Sequence, residues 1–366
     1  MRQRIDKLVH WMKQQHVDAV WITSTENVYY LTGCYVEPHE RTFGLFLFAK
    51  GDAVLVFPKL EAEAVYAAGW NDAVIAYDDS QEPWQLFQER FQQDLAALNV
   101  IALEQEATTY AQFLQFKAVF PQHIEWVGVD QALQQIRMIK DQHEIKQIEQ
   151  AAQLADEAME LAVASMREGC SELEMVAEIE FALKKRGIHK MAFDTLVLFG
   201  EKTALPHGMP DQTMLKSGDM ILIDLGVRVN GYCSDITRTF VYKSIQKKQK
   251  EIGEIVLHAQ QTAIQACKPQ TPIYQIDEVA RAIITDAGYG EYFIHRTGHG
   301  LGLGIHEYPS VSATNHALLQ PGMVVTIEPG IYIPKVGGVR IEDDIAITEE
   351  GYRVLTQFPR DLQVLK

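Results

Sequence analysis

The chain has 366 residues, 47% of them hydrophobic and 22% charged, the balance of a soluble globular protein too long for one comfortable core. A formal net charge of −16 opposes binding to nucleic acid or an anionic membrane, and no apolar run approaches the ~20 residues of a membrane span. Four cysteines (Cys34, Cys170, Cys233, Cys267) lie far apart and form no CxxC pair, which points to reduced thiols and a cytoplasmic location.

In chain order, "MRQRIDKLVHWMKQQ" reads as an amphipathic helix and lacks the apolar core and cleavage site of a signal peptide. The runs "VDAVWIT", "FGLFLFA", "AVLVFP", "AVIAY" and "VIALE" read as strands. Between them, "KLEAEAVYAAG" and "PWQLFQERFQQDLAAL" read as helices, giving an α/β domain that ends near residue 130. A long helical pattern follows, with a break at Lys140-Asp141, where Asp141 and Glu144 have the spacing of a helix start. A second domain over 131–366 then has helices near 172–186, 247–267 and 275–287, a hairpin near 219–242, and closing strand-like runs "MVVTIEPGIYI" and "VGGVRIEDDIAIT".

The hairpin carries the first chemical signal. Asn230-Gly231 is a strong two-residue turn, and it places Asp224 opposite Thr237 and Asp235 opposite Gly226, so both aspartates share a face. Asp224 interrupts the apolar run "MILIDLGV", where a lone carboxylate is costly to bury; alone, it could equally be a polar break on an edge strand. Glu328 ends a β-branched run in "VVTIEPG", and Arg340 and Glu342, two apart, face one side of a strand. An Arg–Glu surface pair would look the same, but three carboxylates in apolar strands of one domain weigh against that account. Two divalent ions would neutralise Asp224, Asp235, Glu328 and Glu342, and His299 in the glycine-rich "RTGHGLGLGIHE" is the candidate imidazole. Such a pair, ~3.5–4 Å apart, polarises a carbonyl and supplies hydroxide near neutral pH, which is the machinery of hydrolysis. Loop histidines are more often incidental than catalytic, yet His207 in "ALPHGMP" and His306 in "GIHEYP" would serve such a site as neutral proton donors. The glycines are spaced GxGxG and lead into no helix, so a dinucleotide loop is excluded.

Taken together, "PHG…GDMILIDLG…GYCSDITRTF…HRTGHGLGLGIHE…IEPGIYIP…VRIEDD" resembles the pita-bread metallopeptidases, and the segment before about 130, with "ITSTENVYYLTG", resembles the creatinase/prolidase N-terminal domain. The overall likeness is greatest to bacterial Xaa-Pro dipeptidases (prolidases). The resemblance implies an α/β (α+β) chain: a creatinase-like α/β domain over 1–130, then a pita-bread catalytic domain with a curved antiparallel sheet. It implies metal ligation by Asp224, Asp235, His299, Glu328 and Glu342, with Asp235 and Glu342 bridging two ions, manganese first and cobalt, zinc or iron as alternatives. Glu328 matches the general base, His207 and His306 the histidines that bind substrate and steady the intermediate, and Arg340 an arginine that orients the site. Arg296 matches a substrate-pocket arginine. The loop "YVEPHER", with Glu37, His39 and Arg41, is similar to one that reaches the partner subunit's site, which implies a homodimer; an ordinary charged turn is the competing account. The implied substrate is a small peptide, Xaa-Pro, with an aminopeptidase acting on longer peptides, or a non-catalytic peptide-binding protein, as alternatives.

Overall fold

The computed structural model describes residues 2–366, which divide into two compact units, one ending at Arg137 and the other starting at Met138. The first contains helices α1 (Arg2–Gln15), α2 (Thr25–Thr32), α3 (Ala62–Ala67), α4 (Pro83–Ala96), α5 (Tyr110–Val119) and α6 (Asp130–Met138, but for its last residue). Its strands are β1 (Ala19–Ile22), β2 (Gly44–Phe48), β3 (Ala53–Pro58), β4 (Ala73–Tyr77), β5 (Val100–Leu103) and β6 (Glu125–Gly128), in the order β4-β3-β2-β1-β5-β6. The sheet is mixed: β1 pairs antiparallel with β2 and parallel with β5. Aromatic side chains fill one face, with the rings of Trp21 and Trp84 4.8 Å apart and those of Trp84 and Phe116 4.4 Å apart.

Every strand and helix expected in this unit is present; α2, α5 and β6 were not expected. The α2 segment, "TENVYYLT", has the β-branched and aromatic content of a strand. Tertiary contacts override it. The carboxylate of Glu104 accepts the Ser24 amide (2.8 Å), the Ser24 hydroxyl (2.6 Å) and the Asn27 amide group (2.5 Å), fastening the helix start. The break between units falls after α6, beyond the expected boundary, because α6 is tied to α2: Arg137 donates to Asn27 Oδ1 at 2.7 Å.

The second unit contains α7 (Gln142–Ser165), α8 (Glu172–Lys185), α9 (Lys247–Ala266) and α10 (Ile273–Asp286). Asp141 caps α7 and Glu144 closes the capping box, as their spacing requires. Strands β7 (Leu196–Phe199), β8 (Met220–Leu225), β11 (Ile236–Tyr242) and β19 (Gln363–Leu365) form one sheet, with β9 (Arg228–Val229) and β10 (Tyr232–Cys233) extending the β8–β11 hairpin as a ribbon. A five-stranded antiparallel sheet has β12 (Gly298–Gly300), β13 (Glu307–Val311), β14 (Val324–Ile327), β17 (Asp343–Ile347) and β18 (Tyr352–Val354), and β15 (Gly330–Ile333) pairs with β16 (Gly337–Arg340). Helices α7 and α8 bury Ala155, Ala158, Met159 and Ile179 against Ile221, Ile223 and Phe240. Helices α9 and α10 bury Val256, Ala259, Ile276 and Ala280 against Val325, Ile327 and Ile345. Each of these valine, isoleucine, methionine and phenylalanine side chains contributes about 1.5–3 kcal/mol on burial, and each alanine methyl about 0.8 kcal/mol.

Each of the two closing runs is broken where a carboxylate stands. Pro329 cannot donate to a ladder, so "VVTIEPGIYI" divides into β14 and β15 at Glu328-Pro329; "VRIEDD" divides into β16 and β17 at Ile341-Glu342. The four cysteines are buried and in no disulfide. Behind these breaks, the fully buried Arg238 donates to the carbonyls of Thr237 (2.9 Å), Glu342 (2.5 Å) and Phe358 (2.6 Å) and pairs with Asp343 Oδ1 at 2.8 Å. Removing one member of such a pair leaves an unpaired ion in a dry interior. Asp343→Ala is therefore expected to destabilise the protein by about 3–5 kcal/mol, read as a lower urea midpoint.

Candidate functional site

Strand register places the first two carboxylates. Asn230 (φ 47°) and Gly231 (φ 85°) both take the left-handed conformation of a tight hairpin turn. Asp224 pairs with Thr237 and Leu225 with Ile236, the register expected from the turn. Ile221 and Ile223 face the α7/α8 core and Met220 the other one, so Asp224 lies on the Met220 side, and Asp235 shares it by the same alternation. The remaining candidates are fixed by cross-strand bonds: Glu342 N–H donates to Thr237 O (3.1 Å), Glu328 N–H to Thr297 O (2.7 Å), and His299 N–H to Thr326 Oγ1 (3.1 Å).

These elements enclose a cavity of about 420 Å³. Asp224, Asp235, His299, Glu328 and Glu342 line it together with His207, His306, Arg296 and Arg340, nine of the residues singled out from sequence. Phe193, Leu196 and Ile305 add apolar wall. Glu37, His39 and Arg41 belong to the first unit, between α2 and β2. There Arg41 pairs with Asp79 (3.0 Å) and Glu40 (2.8 Å), Glu37 accepts from the Tyr35 hydroxyl (3.2 Å), and His39 has φ 53°.

The donor set fits divalent cations. His299 Nδ1 is 3.0 Å from Gly300 O, so that nitrogen carries the hydrogen and Nε2 presents its lone pair. Burial, then the neighbouring His306, lowers its pKa to about 3, so the ring is neutral. Its Nε2 nonetheless faces two carboxylates, Glu328 Oε1 at 3.5 Å and Asp235 Oδ2 at 3.6 Å. The imidazole has no proton to give these atoms, so either a carboxyl proton or a metal cation must join them. Oδ1 of Asp224 and of Asp235 are both buried without a hydrogen-bond partner, and Asp235, His299 and Glu342 each offer a ligand atom within 4.8 Å of the others. Burial, followed by mutual repulsion, raises Asp235 and Glu342 well above the usual carboxylate range, and burial raises Glu328 to about 7.

Sequence reasoning named Arg340 as an orienting residue but missed the other supports around this set. Arg340 donates to Asp224 Oδ2 (2.5 Å), Thr237 Oγ1 (3.1 Å) and the Tyr332 hydroxyl (3.0 Å), and the Thr237 hydroxyl donates to Glu342 Oε2 (2.6 Å). Tyr332, kept protonated by burial that pushes it up to about 12, donates in turn to His295 Nε2 at 2.9 Å. One guanidinium thus orients two of the carboxylates. Asp344 accepts the Asp235 amide at 3.0 Å. Asp277 and Arg281 on α10 hold the strand before His299: Asp277 accepts from Thr297 N–H (3.1 Å), and Arg281 donates to His295 O (2.9 Å). Besides Arg340, only Thr237 left a trace in the sequence, as the residue opposite Asp224.

The raised carboxylates have a measurable consequence. Glu328 moves from 4.5 to about 7 in the folded chain, so the native state binds its proton more tightly than the unfolded state. That contribution is fully present below the unfolded value and is lost as pH rises through the folded one. Chelator-stripped protein is therefore expected to lose melting temperature between about pH 5 and pH 8, and Mn²⁺ to restore it most at the upper end. A stripped protein with a flat profile would contradict the charge balance described here.

Comparison with known proteins agrees with this geometry. Residues 146–349 match the metallopeptidase family M24, and residues 4–139 match the creatinase/prolidase N-terminal domain. The protein YkvY of Bacillus subtilis (strain 168) is 48% identical over 99% of both chains. The prolidase of Pyrococcus horikoshii OT3 is 39% identical with a TM-score of 0.90, over 98% of this chain and 99% of that one. An Xaa-Pro dipeptidase from Bacillus anthracis is 33% identical with a TM-score of 0.92, over 99% of each. The buried Asp/His/Glu cluster and these matches agree: the chain belongs to metallopeptidase family M24 and carries a creatinase/prolidase N-terminal domain.

Proposed function

We propose that the chain is an Xaa-Pro dipeptidase, with Asp224, Asp235, His299, Glu328 and Glu342 holding two divalent ions. The observation that carries this reading is the neutral Nε2 of His299 facing the carboxylates of Asp235 and Glu328, with Oδ1 of Asp235 and of Asp224 buried beside it without a hydrogen-bond partner. Manganese fits the oxygen-dominated donor set, and cobalt, iron and zinc fit it as well. When bound, the ions lower the pKa of water and polarise the scissile carbonyl.

The chain's own residues supply the rest. Glu328, whose carboxylate lines the cavity beside His299, is placed to take a proton from the attacking water. His306, lowered by partial desolvation and by Arg296, is a neutral ring able to donate an N–H to the developing oxyanion, and His207 lines the same cavity as a second donor. Arg340 keeps Asp224 and, through Thr237, Glu342 in place. Phe193, Leu196 and Ile305 give a proline ring an apolar wall, and the Arg296 guanidinium beside it suits the free carboxylate of a dipeptide. The similar prolidase and Xaa-Pro dipeptidase support the same substrate class. In this reading the protein is a cytoplasmic homodimer, and the loop with Glu37, His39 and Arg41 reaches the partner's site.

Two measurements test the proposal. Purified protein is expected to hydrolyse Ala-Pro and to leave Ala-Pro-Ala nearly untouched; rapid tripeptide turnover would point to an Xaa-Pro aminopeptidase instead. His299→Ala is expected to hold less metal by elemental analysis and to lose at least ~100-fold in kcat/KM on Ala-Pro. Undiminished metal and activity in that variant would overturn the assignment.

A further inference from the structure

The glycine–histidine loop is fastened from below by an ion pair that the chemistry above does not use. Lys140 Nζ lies 3.2 Å from Glu307 Oε2, and the two side chains are 1% and 9% exposed. The other oxygen of Glu307 accepts the Gly304 amide at 2.8 Å. Both side chains pack directly under Gly302, where a Cβ would meet each Glu307 oxygen at 2.9 Å and Lys140 Cε at 3.0 Å. The Gly302 carbonyl accepts the Cys233 amide (2.7 Å), and the Lys140 amide donates to Gly322 O (2.8 Å). The pair therefore clamps the turn between β12 and β13, whose last residue is His306.

Stability does not account for this arrangement. Desolvating two ions offsets most of their attraction, and apolar residues of similar volume commonly replace such pairs without loss. Geometry does account for it. Glycines at 300, 302 and 304 leave the backbone free to wander, and a donor displaced by ~1 Å forfeits up to ~100-fold in rate. With the ammonium fixed, the Glu307 carboxylate has one orientation, the Gly304 amide has one acceptor, and the His306 ring is delivered 4.3 Å from that of His299.

We propose that Lys140 and Glu307 are positioning residues: the buried pair fixes the turn from Gly302 to His306 so that the His306 imidazole meets the substrate. This rests on the reading of His306 as a donor to the substrate. The test uses the full-length, metal-loaded protein with Ala-Pro, comparing the apolar replacement Lys140→Met/Glu307→Met in the wild-type and His306→Ala backgrounds. The replacement is expected to keep metal content and melting temperature, to change KM by less than about twofold, and to lower kcat by about tenfold or more. In the His306→Ala background it is expected to lower kcat by less than about twofold further. Lys140→Arg, which keeps the charge, is expected to retain more kcat than Lys140→Met.

Full kcat in the double replacement overturns the proposal, as does an equal loss in both backgrounds or a loss of metal or fold, each of which marks a general support. If His306→Ala alone keeps wild-type kcat, the reading of His306 fails, and the proposal fails with it. A crippled His306→Ala beside an intact pair variant removes the positioning role only.

Discussion

Four carboxylates and an uncharged imidazole cannot share a dry cavity by themselves. Each oxygen brought out of water raises the free energy of its neighbours' ionised forms, and the chain answers with two guanidiniums: Arg340 reaches Asp224 directly and Glu342 through Thr237, and Arg296 acts on Glu328 through its charge. Two positive charges against four negative ones leave a deficit that protons or metal ions must fill. Protons fill it passively, by raised pKa values; divalent ions fill it with reactivity. The arrangement of β8, β11, β14 and β17 keeps that deficit in place.

Holding it requires a frame stiffer than the repulsion. The backbone near each candidate ligand is bonded to the strand of another, and Arg238 joins the carbonyls of Thr237 and Glu342 from behind. Its counterion Asp343 is next in sequence to Glu342 and is itself satisfied by Gln260 and Arg360, both at 2.5 Å. The strand thus alternates in role: one carboxylate faces the cavity and needs a cation, and the next faces away and already has one. A similar division recurs in the loops. His207 lies on a loop where buried Glu172 accepts the Phe199 amide (2.8 Å), the Asp211 amide (2.9 Å) and Lys202 Nζ (2.5 Å).

Much of this was legible in the sequence because it follows short-range rules. A two-residue turn fixes register, register fixes the face, and a carboxylate in a β-branched run marks a site that needs explaining. The Asp141 box and the amphipathic helices were legible for the same reason. What escaped depends on partners remote in the chain. Helix α2 is capped by Ser24, which the remote Glu104 holds in place, and Tyr332 reads as an ordinary strand aromatic until Arg340 and His295 are seen on either side of its hydroxyl. The splitting of the two closing runs could have been read from Pro329 in one case; nothing local announces the break at Glu342. Short strands such as β12, with three residues around His299, have too little pattern to register at all.

The turn at Asn230-Gly231 has an implication for how this chain can vary. Asp224 and Asp235 share a face because the residues between them, loop included, add up to the right parity. One inserted residue would leave both aspartates in the sequence, and the strands as apolar as before, yet rotate one of them into the α7/α8 core. Insertions that most surface loops absorb would here act as a phase error, so this hairpin should drift in composition far more readily than in length.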